Sequence, residues 1–123
     1  MFKKVAFTMY PVKDVARARA FYEGTLGLNV GSHGDHGGKS WIEYDLPGGG
    51  CIALENFTGE EPSAKAGGTI ALEVEDLDAL IADLKAKNVE FRTDIIDSPV
   101  CRMSVILDSE GNSILLHQLK PKK

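Results

Sequence analysis

The feature that most constrains this chain is an internal repeat. Val12 and Val74 stand 62 residues apart, and the same offset carries Asp14 onto Asp76 and Val15 onto Leu77, so that V-K-D-V overlays V-E-D-L. Without a gap it also carries Ile52 onto Ile114 and Leu54 onto Leu116. One constant shift that serves both a strand-to-helix junction and a later strand points to duplication of a whole unit. The shift is close to half of the 123 residues. The chain therefore reads as one domain made of two βαβββ modules, approximately 1–60 and 63–122.

Each module can be traced in turn. In the stretch from Phe2 to Leu28, Val5, Phe7 and Met9 alternate with Ala6, Thr8 and Tyr10, the period of a strand. Asp14 stands where a helix N-cap belongs, and Val15, Ala18, Tyr22 and Leu26 follow at helical spacing. Leu28 to Gly31 starts a second strand that runs into a glycine-rich segment, Gly31 to Lys39, expected as a mobile loop. Trp41 to Leu46 and Cys51 to Glu55 are the third and fourth strands, and Asn56 to Gly68 is the linker. The second copy opens with Thr69 to Glu75. Asp76 caps a helix whose apolar face is Leu77, Leu80, Ile81 and Leu84, and Asn88 ends it. Val89 to Ile96, Cys101 to Leu107 and Asn112 to Leu119 complete the set. The expected fold class is α+β: two tandem modules forming a curved, cup-like mixed sheet with the helices on its outer face.

Composition narrows the function. A net charge of −4 and a pI near 5.3 argue against a nucleic-acid or anionic-membrane surface. No apolar run reaches the roughly 18 residues a bilayer requires, and the N-terminus lacks a signal-peptide pattern, so a cytoplasmic protein is expected. Cys51 and Cys101 fit neither a metal knuckle nor a disulfide framework and read as small buried hydrophobes, reduced in that compartment. Lys120, Lys122 and Lys123 around Pro121 read as a frayed solubilising tail.

Alternation assigns the faces. In the second module Ile70, Leu72, Val74, Ile114 and Leu116 form the helix-packing side, which turns Thr69, Ala71, Glu73, Ser113, Leu115 and His117 the other way. The repeat puts Val5, Phe7, Met9, Cys51, Ala53 and Glu55 on the corresponding side of the first. A concave surface with an apolar floor (Phe7, Met9, Ala53, Leu115) and the polar groups Glu55, Thr69, Glu73 and His117 is what a small-molecule site looks like. His117 and Glu55 are repeat partners, and a histidine facing a carboxylate can serve as general base. The plainer reading is a histidine hydrogen-bonded at the rim or at a subunit contact, and Glu73 has the same two readings. His33, Asp35 and His36 offer metal-ligand atoms, but ordering a loop so rich in glycine costs entropy. Arg102 beside Cys101 could lower a thiol pKa. Gly48-Gly49-Gly50 lacks the Lys and Ser/Thr of a phosphate loop and reads as a hairpin turn.

V-K-D-V-(x5)-F-Y-(x3)-L-G-L at Val12 to Leu28, V-E-D-L at Val74 to Leu77, and D-S-E-G-N-S-I-L-L-H at Asp108 to His117 carry a resemblance. The chain resembles the vicinal oxygen chelate superfamily, which includes glyoxalase I, extradiol dioxygenases, and bleomycin- and fosfomycin-resistance proteins. Ser109 departs from the proline of that family's D-P-D-G-N turn. In members similar to glyoxalase I, four metal ligands come from the first, fourth, fifth and eighth strands. The resemblance puts those positions at Phe7, Ala53, Thr69 and Leu115, none of which is His, Glu, Gln or Asp. Hard divalent cations need carboxylate or imidazole ligands, and a Thr hydroxyl alone does not hold one. The resemblance thus implies the fold and a small-molecule site, with no metal and no cofactor expected.

Three function classes follow. The first is a metal-free binding protein that sequesters a small apolar or aromatic compound, as the bleomycin-resistance branch does. The second is a metal-independent lyase- or isomerase-type enzyme using His117 with Glu55 or Glu73 on a carbonyl compound. The third is an accessory subunit with a vestigial site. Family members of this size commonly pair as homodimers, which would also cover open sheet edges; a cup built within one chain and a cup built across two are both open to the sequence.

Overall fold

The structure is a computed structural model and describes residue 1 and residues 3–121. The expected strand start at Phe2 and the tail lysines Lys122 and Lys123 lie outside the described residues. The chain divides into two compact units, Met1–Pro62 and Ser63–Lys123, and each holds one four-stranded mixed sheet. The tandem βαβββ expectation is borne out, and neither sheet closes into a barrel.

The first sheet has the order β1 (Thr8–Pro11), β4 (Cys51–Glu55), β3 (Lys39–Asp45), β2 (Val30–His36). The second has the same order, β5 (Ile70–Glu73), β8 (Ser113–Leu119), β7 (Cys101–Leu107), β6 (Ile96–Asp97). The repeat persists down to individual hydrogen bonds. In the parallel pair β1/β4, Thr8 lies opposite Ile52 and Pro11 opposite Glu55, while in β5/β8 Ile70 lies opposite Ile114 and Glu73 opposite His117. Val12 N–H donates to the Glu55 carbonyl at 2.8 Å, and Val74 N–H donates to the His117 carbonyl at 2.8 Å. Both caps form as well. The Asp14 carboxylate accepts from Arg17 N–H at 3.0 Å and that of Asp76 from Ala79 N–H at 3.0 Å, satisfying donors the first turn would leave open.

The helices differ. Helix α2 (Leu77–Ala86) buries Leu77 and Leu84 completely and ends at Asn88, whose φ of 62° suits an asparagine. Helix α1 (Val15–Arg19) widens into a π-helical segment over Ala20–Thr25, where Leu26 N–H reaches back to the Phe21 carbonyl. That segment is tied to β3. Arg19 grips Glu23 at 2.7 Å, the Tyr44 hydroxyl donates to Glu23 at 2.9 Å, and Tyr44 stacks on Tyr22 with centroids 5.7 Å apart. The hydrogen bond from Arg19 holds the Glu23 carboxyl below its ordinary value against the opposing effect of burial, and burial first, then Glu23, pushes the Tyr44 phenol up.

Of the expected helix-packing side of the second module, Ile70, Ile114 and Leu116 are buried and Leu72 and Val74 half-buried, while Ala53 and Glu55, expected on the open side of the first, are buried as well. Tyr10, Val12, Ile42, Tyr44, Ile52 and Leu54 form the first core, and Ile70, Ser104, Ile106, Ile114 and Leu116 line the second. Two expectations on secondary structure need correction. Gly31 to Lys39 is no loop: Val30–His36 pairs antiparallel with β3 through a turn in which Gly37 and Gly38 take φ of 59° and 83°. Two consecutive positive φ values make the tight hairpin whose twist matches the strands, and glycine reaches them without strain. The segment expected as a strand over Val89 to Ile96 keeps only β6 as regular strand. Before it, Phe91 bridges to Ile106 and Arg92 N–H donates to the Val105 carbonyl at 2.8 Å.

Candidate functional site

The face of the first sheet turned away from α1 carries an aromatic cluster. Alternation along β3 directs Trp41, Glu43 and Asp45 to this side, together with Met9 and Ala53 from β1 and β4. The Phe7 ring meets the Trp41 indole edge-on, with centroids 5.1 Å apart and planes at 85°, and Phe57 approaches Trp41 at 6.1 Å. A residue larger than Ala53 on the intervening β4 would stand between the rings; Ala53 itself is fully buried. The Trp41 indole N–H donates to Glu43 at 2.6 Å, which fixes the ring plane. Phe7, Met9 and Phe57 remain 43%, 41% and 47% exposed, a large apolar area to leave in water.

Beside the cluster stand Glu43, Asp45 and Cys51, whose potential ligand atoms all lie within 4.8 Å of one another. Burial pushes the Cys51 thiol up, and Asp45 and Glu43 add to the effect, so at neutral pH it is protonated and a poor nucleophile. Gly31 makes room here, because a Cβ on it would lie 2.2 Å from an Asp45 carboxylate oxygen.

Glu55 points elsewhere than the sequence suggests. It is 1% exposed, and its carboxylate accepts from Phe57 N–H and Thr58 N–H at 2.8 Å each and from the Thr58 hydroxyl at 2.7 Å. Its oxygens are committed to the turn after β4, which removes it as the acid/base partner expected for His117. Its register partners are Pro11 on β1, which offers no side-chain donor, and Trp41 on β3, whose indole N–H is given to Glu43.

In the second unit the corresponding face brings Glu73 and His117 together. They are register partners, and His117 Nδ1 lies 2.5 Å from Glu73 Oε1. Leu119 N–H also donates to Glu73 at 2.9 Å. The hydrogen bond from His117 first, then that from Leu119, holds the Glu73 carboxyl below its ordinary value. Leu115 is half-buried on the same side, and the Thr69 and Ser113 hydroxyls share a hydrogen bond at 3.0 Å.

At the four positions where the resemblance puts metal ligands, no side chain is a carboxylate or an imidazole. Phe7 packs on Trp41, Ala53 and Leu115 offer no donor, and the Thr69 hydroxyl is bonded to Ser113. His33 and Asp35 share one side of β2 and His36 takes the other, so the three do not converge. Cys51 and Cys101 are free thiols. Arg102 turns to the helix side and pairs with Asp78 at 2.8 Å, away from the Cys101 side chain. Trp41, Glu43 and Phe57 are the site residues the sequence reading missed. The alternation of the third strand, applied to Trp41 and Glu43, would have revealed two of them.

The duplicated βαβββ module places the chain among α+β proteins built from two tandem units. The family model described as Glyoxalase/Bleomycin resistance protein/Dioxygenase superfamily matches residues 4–116, and the chain belongs to that superfamily. No curated protein matches. Among solved structures, TnmS3, an antibiotic binding protein from Streptomyces sp. CB03234, is 24% identical with a TM-score of 0.82, covering 97% of this chain and 98% of that one. A glyoxalase/bleomycin resistance protein from the same Streptomyces is 27% identical with a TM-score of 0.75, covering 91% and 97%. A glyoxylase/bleomycin resistance protein/dioxygenase domain from Frankia sp. EAN1pec is 19% identical with a TM-score of 0.81, covering 100% and 96%. Among the described residues no helix is long and apolar enough to cross a membrane.

Proposed function

We propose that this chain is a metal-independent binding protein that takes a small aromatic or apolar compound onto the face bearing Phe7, Met9, Trp41, Ala53 and Phe57. The observation that carries the reading is the partly exposed ring cluster. Covering it removes apolar area from water at about 25 cal/mol per Å², and ring-on-ring contacts add about 1 kcal/mol each. Glu43, held against the indole N–H, supplies a polar group to select orientation. The antibiotic-binding structural relative is consistent with this role. A thermal-shift screen of aromatic natural products, bleomycin among them, tests the reading. Ligands should raise the melting temperature of the native protein and not of Phe7→Ala; equal shifts in both would place binding elsewhere. Elemental analysis of untagged protein should show no stoichiometric transition metal. An equivalent lost on Cys51→Ser would instead assign a metal to Glu43, Asp45 and Cys51.

A second reading rests on the His117–Glu73 contact. A carboxylate on Nδ1 fixes the tautomer and leaves Nε2 as the reactive nitrogen, the arrangement a general base needs. In this reading a carbonyl compound loses a proton to His117, and Glu73 positions the ring. Turnover of α-hydroxy carbonyl compounds that vanishes in His117→Ala would favour it. We further propose a cytoplasmic homodimer, to be tested by sedimentation at micromolar concentration.

A further inference from the structure

The second unit contains a cavity that the proposed function does not use. It has a volume of about 370 Å³ and lies between α2, the segment before β6 and the helix-facing side of β7. Ile81, Phe91 and Ile95 give it an apolar wall. Lys85 and Asp94 stand on its margin. The Lys85 ammonium lies 5.5 Å from the Phe91 ring centroid, and among the described residues neither Lys85 nor Asp94 makes an ion pair, with each other or with a third group. At the floor the fully buried Ser104 hydroxyl donates to the Thr93 carbonyl at 3.1 Å and holds that segment in place. The Thr93 hydroxyl accepts from Val105 N–H at 3.0 Å, which leaves its proton to donate.

An apolar wall flanked by one cation and one anion, with one spare hydroxyl donor, is complementary to a molecule that carries both charges and a hydrocarbon side chain. From this complementarity we infer that the cavity binds an apolar α-amino acid the size of leucine or phenylalanine. The carboxylate faces Lys85 and the Thr93 hydroxyl, the ammonium faces Asp94, and the side chain lies against Ile81, Phe91 and Ile95. A volume of 370 Å³ lies within the range of about 300–1,000 Å³ usual for small-molecule pockets.

The test is a calorimetric titration of the full chain with L-phenylalanine, phenethylamine and 3-phenylpropionate. The amino acid should bind saturably, and each single-charge analogue should bind about tenfold or more weakly, because one charged wall group is left without its partner. Lys85→Met and Asp94→Asn should each weaken L-phenylalanine about tenfold while leaving the melting temperature unchanged, since both side chains are exposed. Absence of saturation up to about 10 mM, equal binding of all three probes, or native affinity in both variants would overturn the inference. Phe7→Ala should not change this titration, which separates the cavity from the aromatic face.

Discussion

In the first unit the residue opposite Pro11 is Glu55; in the second the residue opposite Glu73 is His117. The strand order, the register of the parallel pair and the helix cap are the same in both, and this exchange of partners gives the two faces different chemistry. Across from Glu55 stand Pro11, which has no side-chain donor, and Trp41, whose indole N–H goes to Glu43, so Glu55 folds onto Phe57 and Thr58 and becomes part of the frame. His117 has a carboxylate across the strand, so the pair stays on the surface with Glu73 more than half exposed. Around Glu55 the first unit keeps rings in contact with water, whereas the second keeps a titratable pair. Duplication fixed the backbone hydrogen bonds and left these side chains free to diverge.

The largest expected effect tests the shared frame. Leu116 is 1% exposed on the helix side and Leu115 is half-buried on the other. Leu116→Glu should cost about 4 kcal/mol or more and unfold the chain, because a charge is forced into a packed core. Leu115→Glu should remain folded. Equal melts by circular dichroism would break the assignment of faces. Next, Glu55→Ala should cost about 3 kcal/mol, since three donors lose a buried charged acceptor. His117→Ala, at the repeat-related position, should cost less than about 1 kcal/mol in urea titrations. Similar values would erase the contrast between the two units.

How much of this was legible follows from the same residues. The offset from Val12 to Val74 predicted that the two parallel pairs would be equivalent, as their matching registers are, and Asp14 and Asp76 were readable as caps because capping is local chemistry. The strand Val30–His36 was hidden because its glycines, histidines and aspartate have low strand propensity, and only the Gly37-Gly38 pair signals the hairpin. The fate of Glu55 depended on a turn whose Thr58 hydroxyl competes for it, which alternation cannot report. The widened turn after Arg19 answers to a tertiary contact, Glu23 with Tyr44, 21 residues away in sequence.

Smaller effects sharpen the comparison. Asp14→Ala and Asp76→Ala should each cost about 1 kcal/mol, and nearly equally, because the two caps have the same geometry. Acid should weaken both units. Glu23 in the first unit and Glu73, Asp78 and Asp97 in the second are all held below their ordinary values by paired cations or histidine. Their contribution is present in full above the unfolded-state values and is lost as pH falls through the lower folded-state ones, so the loss begins near pH 4 and continues below it. Melting temperatures measured from pH 6 down to 2.5 should decline over that window; Glu23→Gln should flatten the part due to the first unit.

Trp41 is the sole tryptophan of the chain and stands at the centre of the proposed binding face. Its fluorescence, followed while an aromatic ligand from the thermal-shift screen is added, is the most direct test of where binding occurs. Saturable quenching or a spectral shift in the native protein, lost in Phe7→Ala and retained in His117→Ala, is the expected result. A ligand that binds by calorimetry without changing the Trp41 emission, or that responds to His117→Ala and not to Phe7→Ala, would contradict the account.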